Sequence, residues 1–112
     1  MLNRADILCK VTMAVEKIKV PEWGGEVFIR EMTAAERDGW EATAFGENAD
    51  KTCIRARLAC ICLCDDKGAR LFSDTDLPSL GKLSASALDR IFTASMKVNR
   101  LRKSDVEELE KN

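Results

Sequence analysis

Apolar and charged residues alternate in the N-terminal third of the chain, in a way that is typical of two short strands. Residues 15–20 mix β-branched residues with charged ones, and residues 26–31 repeat this extended pattern. The segment 21–25 between them has turn chemistry, because proline fixes its own φ and the paired glycines can adopt positive φ. This pattern predicts a β-hairpin over about residues 15–31, preceded by a short helix that Asn3 caps.

Apolar residues recur three and four positions apart in the rest of the chain, which predicts helices. Thr33 and Glu36 have the spacing of a capping box, and Gly39 weakens the helix they open by about 1 kcal/mol relative to alanine. The predicted helices cover about residues 33–45, 50–64, 84–101 and 104–111. The chain is therefore predicted to be a single domain over residues 1–112, of the α+β class and mainly α-helical. In this fold, the short helix and the hairpin precede a bundle of about four to five helices.

The segment 58–64 is apolar on every side, so its secondary structure is ambiguous. A helix is favoured because an element that begins at Asp50 and reaches residue 64 is too long for an average strand. A strand that ends at the turn over residues 65–68 is the alternative, and both remain open on the sequence alone.

Five cysteines raise the question of metal or redox chemistry. Cys60, Cys62 and Cys64 crowd one apolar segment, which favours buried packing residues in a reducing compartment over a disulfide framework. The alternative is a small zinc or redox module that uses these three thiols with Cys53, or with Cys9, as a further ligand.

Composition and charge argue against several classes of function. The chain has no histidine, which excludes Ser-His-Asp and Cys-His nucleophile pairs and histidine-ligated metals. Its 18 Lys+Arg balance 19 Asp+Glu, so no nucleic-acid or anionic-membrane surface is predicted. No apolar run has the length of a membrane span or of a signal-peptide core. The sequence predicts a soluble cytoplasmic protein with no catalytic residue, cofactor or metal site.

Residues 20–38, which read VPEWGGEVFIREMTAAERD, resemble the opening of tail assembly chaperones from long-tailed (siphovirus-type) bacteriophages or prophages. Further similar blocks follow in the same order and cover nearly the whole chain. They are Arg57-Leu58, residues 65–68 with Leu71-Phe72, residues 83–92 and residues 104–112. The first block is the most specific, whereas residues 44–54 and the cysteine-rich stretch match nothing that defines the family.

The resemblance implies a non-enzymatic chaperone in the cytoplasm of the bacterial host. Members of this family bind and solubilise the tape-measure protein, a long helical rod that fixes tail length, until tail-tube subunits polymerise around it. They are absent from the finished virion. The alternative within the same biology is a minor structural protein of the tail or connector, which would remain in the particle.

Many members of the family also exist in a longer form, made by a translational frameshift near the end of the short reading frame. Lys111 and Asn112 can be encoded by an A-rich slippery run that begins within Glu110. The resemblance therefore suggests a longer product that shares about residues 1–111 and reaches the tail-tube protein.

Four residues are candidates for a partner-binding or self-association surface. Phe92 and Met96 flank the apolar stripe of the helix over 84–101, and this stripe is wide enough to face a second subunit as well as the core. Trp40 and Trp23 are weaker candidates, and core packing is the alternative role for each aromatic residue. The expected partners are the tape-measure protein and further copies of the chain.

Overall fold

A computed structural model describes residues 1–10, 13–45 and 53–100 of the chain. Its fold confirms the predicted α+β class with mainly helical content. In chain order its elements are α1 (Arg4–Leu8), β1 (Val15–Val20), a 3-10 turn (Pro21–Trp23), β2 (Gly25–Arg30), α2 (Ala34–Phe45), α3 (Ile54–Cys62), β3 (Leu63–Cys64), a second 3-10 turn (Asp74–Asp76), α4 (Leu77–Leu80) and α5 (Ala85–Val98).

The hairpin forms where the alternating pattern predicts it. Strands β1 and β2 pair antiparallel, with Val15 opposite Arg30 and Val20 opposite Gly25. The turn between them closes at Gly24, whose φ of 67° lies in the left-handed region that favours glycine. Strand β3 adds to the other side of β2, so the sheet order is β1-β2-β3 and β1 lies at an edge.

The core lies between one face of this sheet and the helices α3 and α5. Val20 and Ile29 point from the sheet into it, and Leu58 and Ile91 meet them from α3 and α5, all with 0 % of their surface exposed. Burial of side chains of this kind contributes about 1.5–3 kcal/mol each relative to an exposed position. This packing holds α5 across the hairpin.

Helix α2 begins as the capping box predicts. The Glu36 N–H donates to Thr33 Oγ1 at 3.1 Å, and the Thr33 N–H donates to Glu36 Oε1 at 2.9 Å. A second box of the same type, between Asn3 and Asp6, caps α1. At the start of each of these helices, two backbone N–H groups that have no acceptor within the helix donate to side chains instead. These hydrogen bonds fix where the helix begins.

The predicted helix over 50–64 is wrong at its C-terminal end. Helix α3 ends at Cys62, and Leu63 and Cys64 form a strand opposite Ile29 and Phe28 of β2. The second edge of β2 would otherwise leave backbone N–H and C=O groups unpaired, and the strand satisfies them. The helix and strand interpretations of residues 58–64 each hold for part of the segment. Residues 50–52, residue 101 and the predicted helix over 104–111 lie outside the described residues.

Candidate partner-binding surfaces

Helix α5 carries the two leading candidates for partner contact. The Ser84 side chain caps the helix by accepting the Ala87 N–H at 3.1 Å, which fixes where the helix begins. Phe92 and Met96 lie one turn apart on this helix, half-buried and packed against the core. Each therefore offers only part of its side chain to a partner.

The two tryptophans lie on other elements. Trp40 is on α2 and only 3 % exposed, so its ring belongs mainly to the core. Trp23 ends the hairpin turn and is 39 % exposed. This turn is fastened to α5 by Arg90, whose Nε donates to the two carboxylate oxygens of Glu22 at 2.7 and 2.9 Å. The structure thus brings Phe92 and Met96 together and places the tryptophans elsewhere.

A cleft of about 390 Å³ opens between α2, α3 and the segment 70–77. It is called the α2–α3 cleft below. Apolar side chains meet charged ones along its walls. Its lining residues are Glu36, Gly39, Trp40, Thr43, Arg57, Cys60, Ile61, Arg70, Asp74 and Leu77.

One wall of the α2–α3 cleft is held in place by Arg70. Its guanidinium donates to the Cys60 carbonyl oxygen at 3.1 and 3.3 Å and to Asp74 Oδ1 at 3.1 Å. The Cys60 thiol donates to the Ser73 carbonyl oxygen at 3.2 Å. Burial raises the pKa of Cys60, although the charge of Arg70 works in the opposite direction, so this thiol stays neutral near pH 7. The wall is a preformed surface that offers no activated nucleophile.

Gly39 forms an open part of the opposite wall. It lies inside α2, its φ is not positive, and a Cβ built on it would meet nothing within 4 Å. Glycine costs a helix interior about 1 kcal/mol relative to alanine, and no contact within the described fold requires it here. The missing side chain therefore leaves room at the α2–α3 cleft that an alanine or leucine would occupy.

A buried ion pair lies beneath the start of α2. Arg30 Nη2 donates to Glu36 Oε2 at 2.6 Å, and the Arg30 side chain is only 7 % exposed. Burial alone raises the pKa of Glu36, but the hydrogen bonds from Arg30 and from the Thr33 backbone outweigh it and lower that pKa below 4.5. Glu36 is therefore ionised at neutral pH and anchors the first turn of α2 against the sheet.

The first nine residues form an exposed N-terminal arm that carries α1. None of its residues is buried, and its apolar side chains Leu2, Ile7 and Leu8 are each more than half exposed. Exposed apolar side chains that form a contiguous patch mark an interaction site more often than scattered ones do, and Ile7 and Leu8 are neighbours in the chain. The arm is therefore a second candidate surface, and one that the sequence interpretation did not single out.

A second groove runs between β1 and α5, with a volume of about 490 Å³. Charged residues of both signs dominate it, including Glu16, Lys19, Asp89, Arg90 and Lys97. Several of them already pair within the chain, as Asp89 does with Arg55. This groove therefore differs from the α2–α3 cleft in that charged residues make up most of its lining.

The three clustered cysteines face different neighbours. Cys60 contacts Arg70 and Ser73, whereas Cys62 accepts a 3.6 Å hydrogen bond from Asn99 Nδ2, and Cys64 lies in β3 opposite Phe28. Burial raises the pKa of Cys62 to about 11. Within residues 1–10, 13–45 and 53–100, no group of three or more His, Cys, Asp or Glu side chains is placed to hold a metal ion.

Comparison with known proteins finds a matching family model and a solved structure with a similar fold. A family model described as "Phage tail assembly chaperone" matches residues 9–112. The solved structure of the bacteriophage HK97 tail assembly chaperone aligns with a TM-score of 0.61 at 20 % identity, over 77 % of this chain and 85 % of that chain. At this identity the likeness shows a shared fold. None of the curated protein sequences matches the chain. No helix in the described part of the chain is long and apolar enough to span a membrane.

Proposed function

Because the chain belongs to the phage tail assembly chaperone family, we propose that it serves tail assembly by binding the tape-measure protein and keeping it soluble. The observation that carries the proposal is the family match over residues 9–112, which includes the hairpin and every described helix after α1. The role is non-catalytic, it is performed in the host cytoplasm, and the protein leaves before the virion is complete.

The distribution of apolar surface supports a role of this kind. Trp23, Leu71 and Leu83 are exposed by 39, 54 and 41 %, and they lie on three separate segments of the chain. Full burial of one such side chain is worth about 1.5–3 kcal/mol, or roughly one to two decades in affinity. A set of contacts of this strength can hold an amphipathic rod and still be displaced when tube subunits cover it.

Phe92, Met96 and Trp23 are the proposed contact residues of this function. Phe92 and Met96 are each half-buried on α5, and Trp23 lies in a separate turn that contacts the same helix through Glu22 and Arg90. Trp40 contributes only through the α2–α3 cleft, because its ring is otherwise covered.

Co-expression with the tape-measure protein tests the proposal. We expect the tape-measure protein to move from the insoluble to the soluble fraction, and to co-purify with the tagged chain. The Trp23→Ala variant (W23A) should weaken co-purification, because Trp23 is exposed and its removal leaves the core intact. Lys82→Ala, also at an exposed position but without an apolar ring, is the matched control. Unchanged solubility of the tape-measure protein would contradict the proposal.

The proposal also concerns self-association of the chain and a longer product of the same gene. We infer that the chain forms a homo-oligomer, and that a longer frameshifted form sharing residues 1–111 contacts the tail-tube protein. Mass spectrometry of host lysate during tail assembly should detect peptides that continue in the shifted frame. The same measurement on purified particles should miss both forms, whereas a structural tail or connector protein would be present there.

A further inference from the structure

We propose that the C-terminal segment of the chain, residues 101–112, turns back after α5 and docks into the groove between β1 and α5 of the same chain. This groove is called the β1–α5 groove below. The docked part is the helix that the sequence predicts over residues 104–111. The inference goes beyond the proposed function, because it concerns how the chain covers its own open sheet edge and requires no tail protein.

Strand β1 leaves one edge of the sheet open. The sheet order is β1-β2-β3, so β1 pairs with β2 alone. Within residues 1–10, 13–45 and 53–100, no backbone hydrogen bond reaches the outer side of Val15–Val20. Open edges invite pairing with foreign strands, and proteins commonly cover them with a helix or a loop. A cover for β1 is therefore expected from the rest of the chain.

The β1–α5 groove runs along this open edge. Every described residue that lines it belongs to β1 or α5, and these residues are Glu16, Ile18, Lys19, Asp89, Arg90, Thr93, Ala94 and Lys97. Ile18 and Ala94 are partly buried and pack against the core, so they form an apolar floor between charged walls. A recess of this kind suits an amphipathic helix that has few apolar residues and many charged ones.

The chain leaves α5 at one end of the β1–α5 groove. Lys97 lines the groove, and α5 ends one residue later at Val98. Arg100 then has a φ of 56°, and its N–H donates to the Lys97 carbonyl oxygen at 3.1 Å. A left-handed residue with this hydrogen bond is a common helix ending, which turns the chain away from the helix axis. The C-terminal segment therefore begins beside the groove.

The lengths of the predicted helix and of the β1–α5 groove agree. Residues 101–103 can span up to about 10 Å when extended, which is enough to reverse direction. The eight residues from 104 to 111 then form a helix about 12 Å long. Along α5 the groove extends from Lys97 back to Asp89, which is also about 12 Å. A helix that runs antiparallel to α5 would fill the groove from end to end.

The apolar residues of the C-terminal segment need a cover. Val106 and Leu109 are three residues apart, so they lie on the same side of the predicted helix. A helix of eight residues is marginal in water by itself, and burial of these two side chains against Ile18 and Ala94 would stabilise it. The docking therefore forms the helix and closes the edge of β1 in one step.

The charges of the groove favour an acidic segment. Lys19 lines it and makes no ion pair with any described residue. The Lys97 side chain is 79 % exposed, and its Nζ lies 4.0 Å from Glu16 Oε1, so it can also reach a second carboxylate. The antiparallel direction brings Asp105 towards Lys97 and Glu110 towards Lys19. Such exposed pairs contribute little affinity, but they favour this orientation over the opposite one.

A nitroxide label on the C-terminal segment tests the docking by NMR. In a chain whose exposed Cys9 and Cys53 are replaced by serine, Lys111→Cys (K111C) is the one accessible thiol, because the other three cysteines are buried. The label should weaken the backbone amide signals of Lys19 and Arg90 most, and those of Gly39 and Ile61 at the α2–α3 cleft least. Adding Val106→Asp and Leu109→Asp to the labelled chain should remove this selectivity.

A mixed sample separates this docking from contact between copies. Labelled chains without ¹⁵N are mixed with ¹⁵N chains that carry no label, and the ¹⁵N signals should keep their intensity. Selective weakening of Lys19 and Arg90 in the mixed sample would show that the groove receives the segment of another copy, and it would overturn the proposal. Weakening that is uniform, or strongest at the α2–α3 cleft, would overturn it as well.

Hydrogen exchange supplies a test without a label. The amide protons of residues 108–111 should exchange about tenfold or more faster in the Val106→Asp, Leu109→Asp double variant than in the wild type. Ser104→Asp with Asn112→Asp is the matched control, because it adds the same two negative charges away from the apolar pair. Exchange at the random-coil rate in the wild type, or equal acceleration by the two double variants, would contradict the docking. None of these outcomes bears on whether the tape-measure protein is bound.

Discussion

Asn99 joins the C-terminal end of α5 to the junction between the hairpin and α2, and its replacement by alanine should be among the most destabilising single changes in the chain. The side chain is largely buried, with the residue 8 % exposed. Its Oδ1 accepts the Met32 N–H at 2.6 Å, and its Nδ2 donates to the Ser95 carbonyl oxygen at 2.8 Å and to Cys62 Sγ at 3.6 Å.

The expected loss follows from the groups that Asn99→Ala leaves behind. A buried N–H without an acceptor costs about 1–3 kcal/mol, and the lost amide contacts add about 1 kcal/mol. The free energy of unfolding should therefore fall by about 2–4 kcal/mol. Native domains have only about 5–15 kcal/mol in total, so the change is large enough to measure easily.

Urea unfolding followed by circular dichroism measures this loss. The midpoint should shift to lower urea with an unchanged m-value, because the surface exposed on unfolding stays the same. Arg37→Ala is the control, since Arg37 contacts Asn99 through the carbonyl oxygen, at 3.4 Å, and leaves the Asn99 side chain in place when removed. The Arg37 side chain is 40 % exposed, and its other partner, Glu41 Oε1 at 3.1 Å, is also partly exposed. A decrease of less than about 0.5 kcal/mol in Asn99→Ala, within the range of ordinary surface substitutions, would refute the reasoning.

Three further predictions concern stability. Gly39→Ala should raise the free energy of unfolding by about 1 kcal/mol, seen as a higher melting temperature, and a lower one would contradict the open space at its Cβ. Stability should fall between pH 9 and 11, by up to about 1.4 kcal/mol per unit, because folded Cys62 keeps its proton while the unfolded thiol loses it. Urea unfolding at several pH values in that range gives the free energy of unfolding as a function of pH. This free energy should fall less steeply with pH in Cys62→Ala than in the wild type, and an equal dependence on pH would count against the burial argument. Glu36→Gln should cost about 1–3 kcal/mol at pH 7. Because the pKa of Glu36 is lowered in the fold, its contribution is fully present above about pH 4.5 and is lost as the pH falls through the lowered pKa, so the gap to wild type should close as the pH is taken progressively below 4.5. A gap that is constant with pH would exclude the Arg30–Glu36 pair as its source.

Local signals were sufficient to predict the hairpin and the helix starts. The alternation in residues 15–20, the turn at Gly24 and the spacing of Thr33 and Glu36 each act within a few residues, and the structure has all three. The end of α3 could not be found in this way. Leu63 and Cys64 leave the helix because β2 presents an unpaired edge, and that edge is distant in sequence.

The periodicity of apolar residues also does not predict which polar residues are buried in the core. Ser95 and Asn99 lie on the buried side of α5, although both residue types are usually exposed. The burial of Asn99 depends on Cys62 of α3 and on Met32, which only the tertiary structure supplies. The α2–α3 cleft likewise combines segments far apart in the chain. Among the residues that line this cleft, Gly39 is the one that stands out in the sequence, because a glycine weakens the predicted helix and no sequence feature explains it.

Affinity capture during tail assembly tests the central claim most directly. The tagged chain should be captured from host cells together with the tape-measure protein, before tubes form, and it should be missing from purified virions. Capture without the tape-measure protein, or the chain retained as a stoichiometric component of finished particles, would contradict a chaperone that holds this rod and then leaves it.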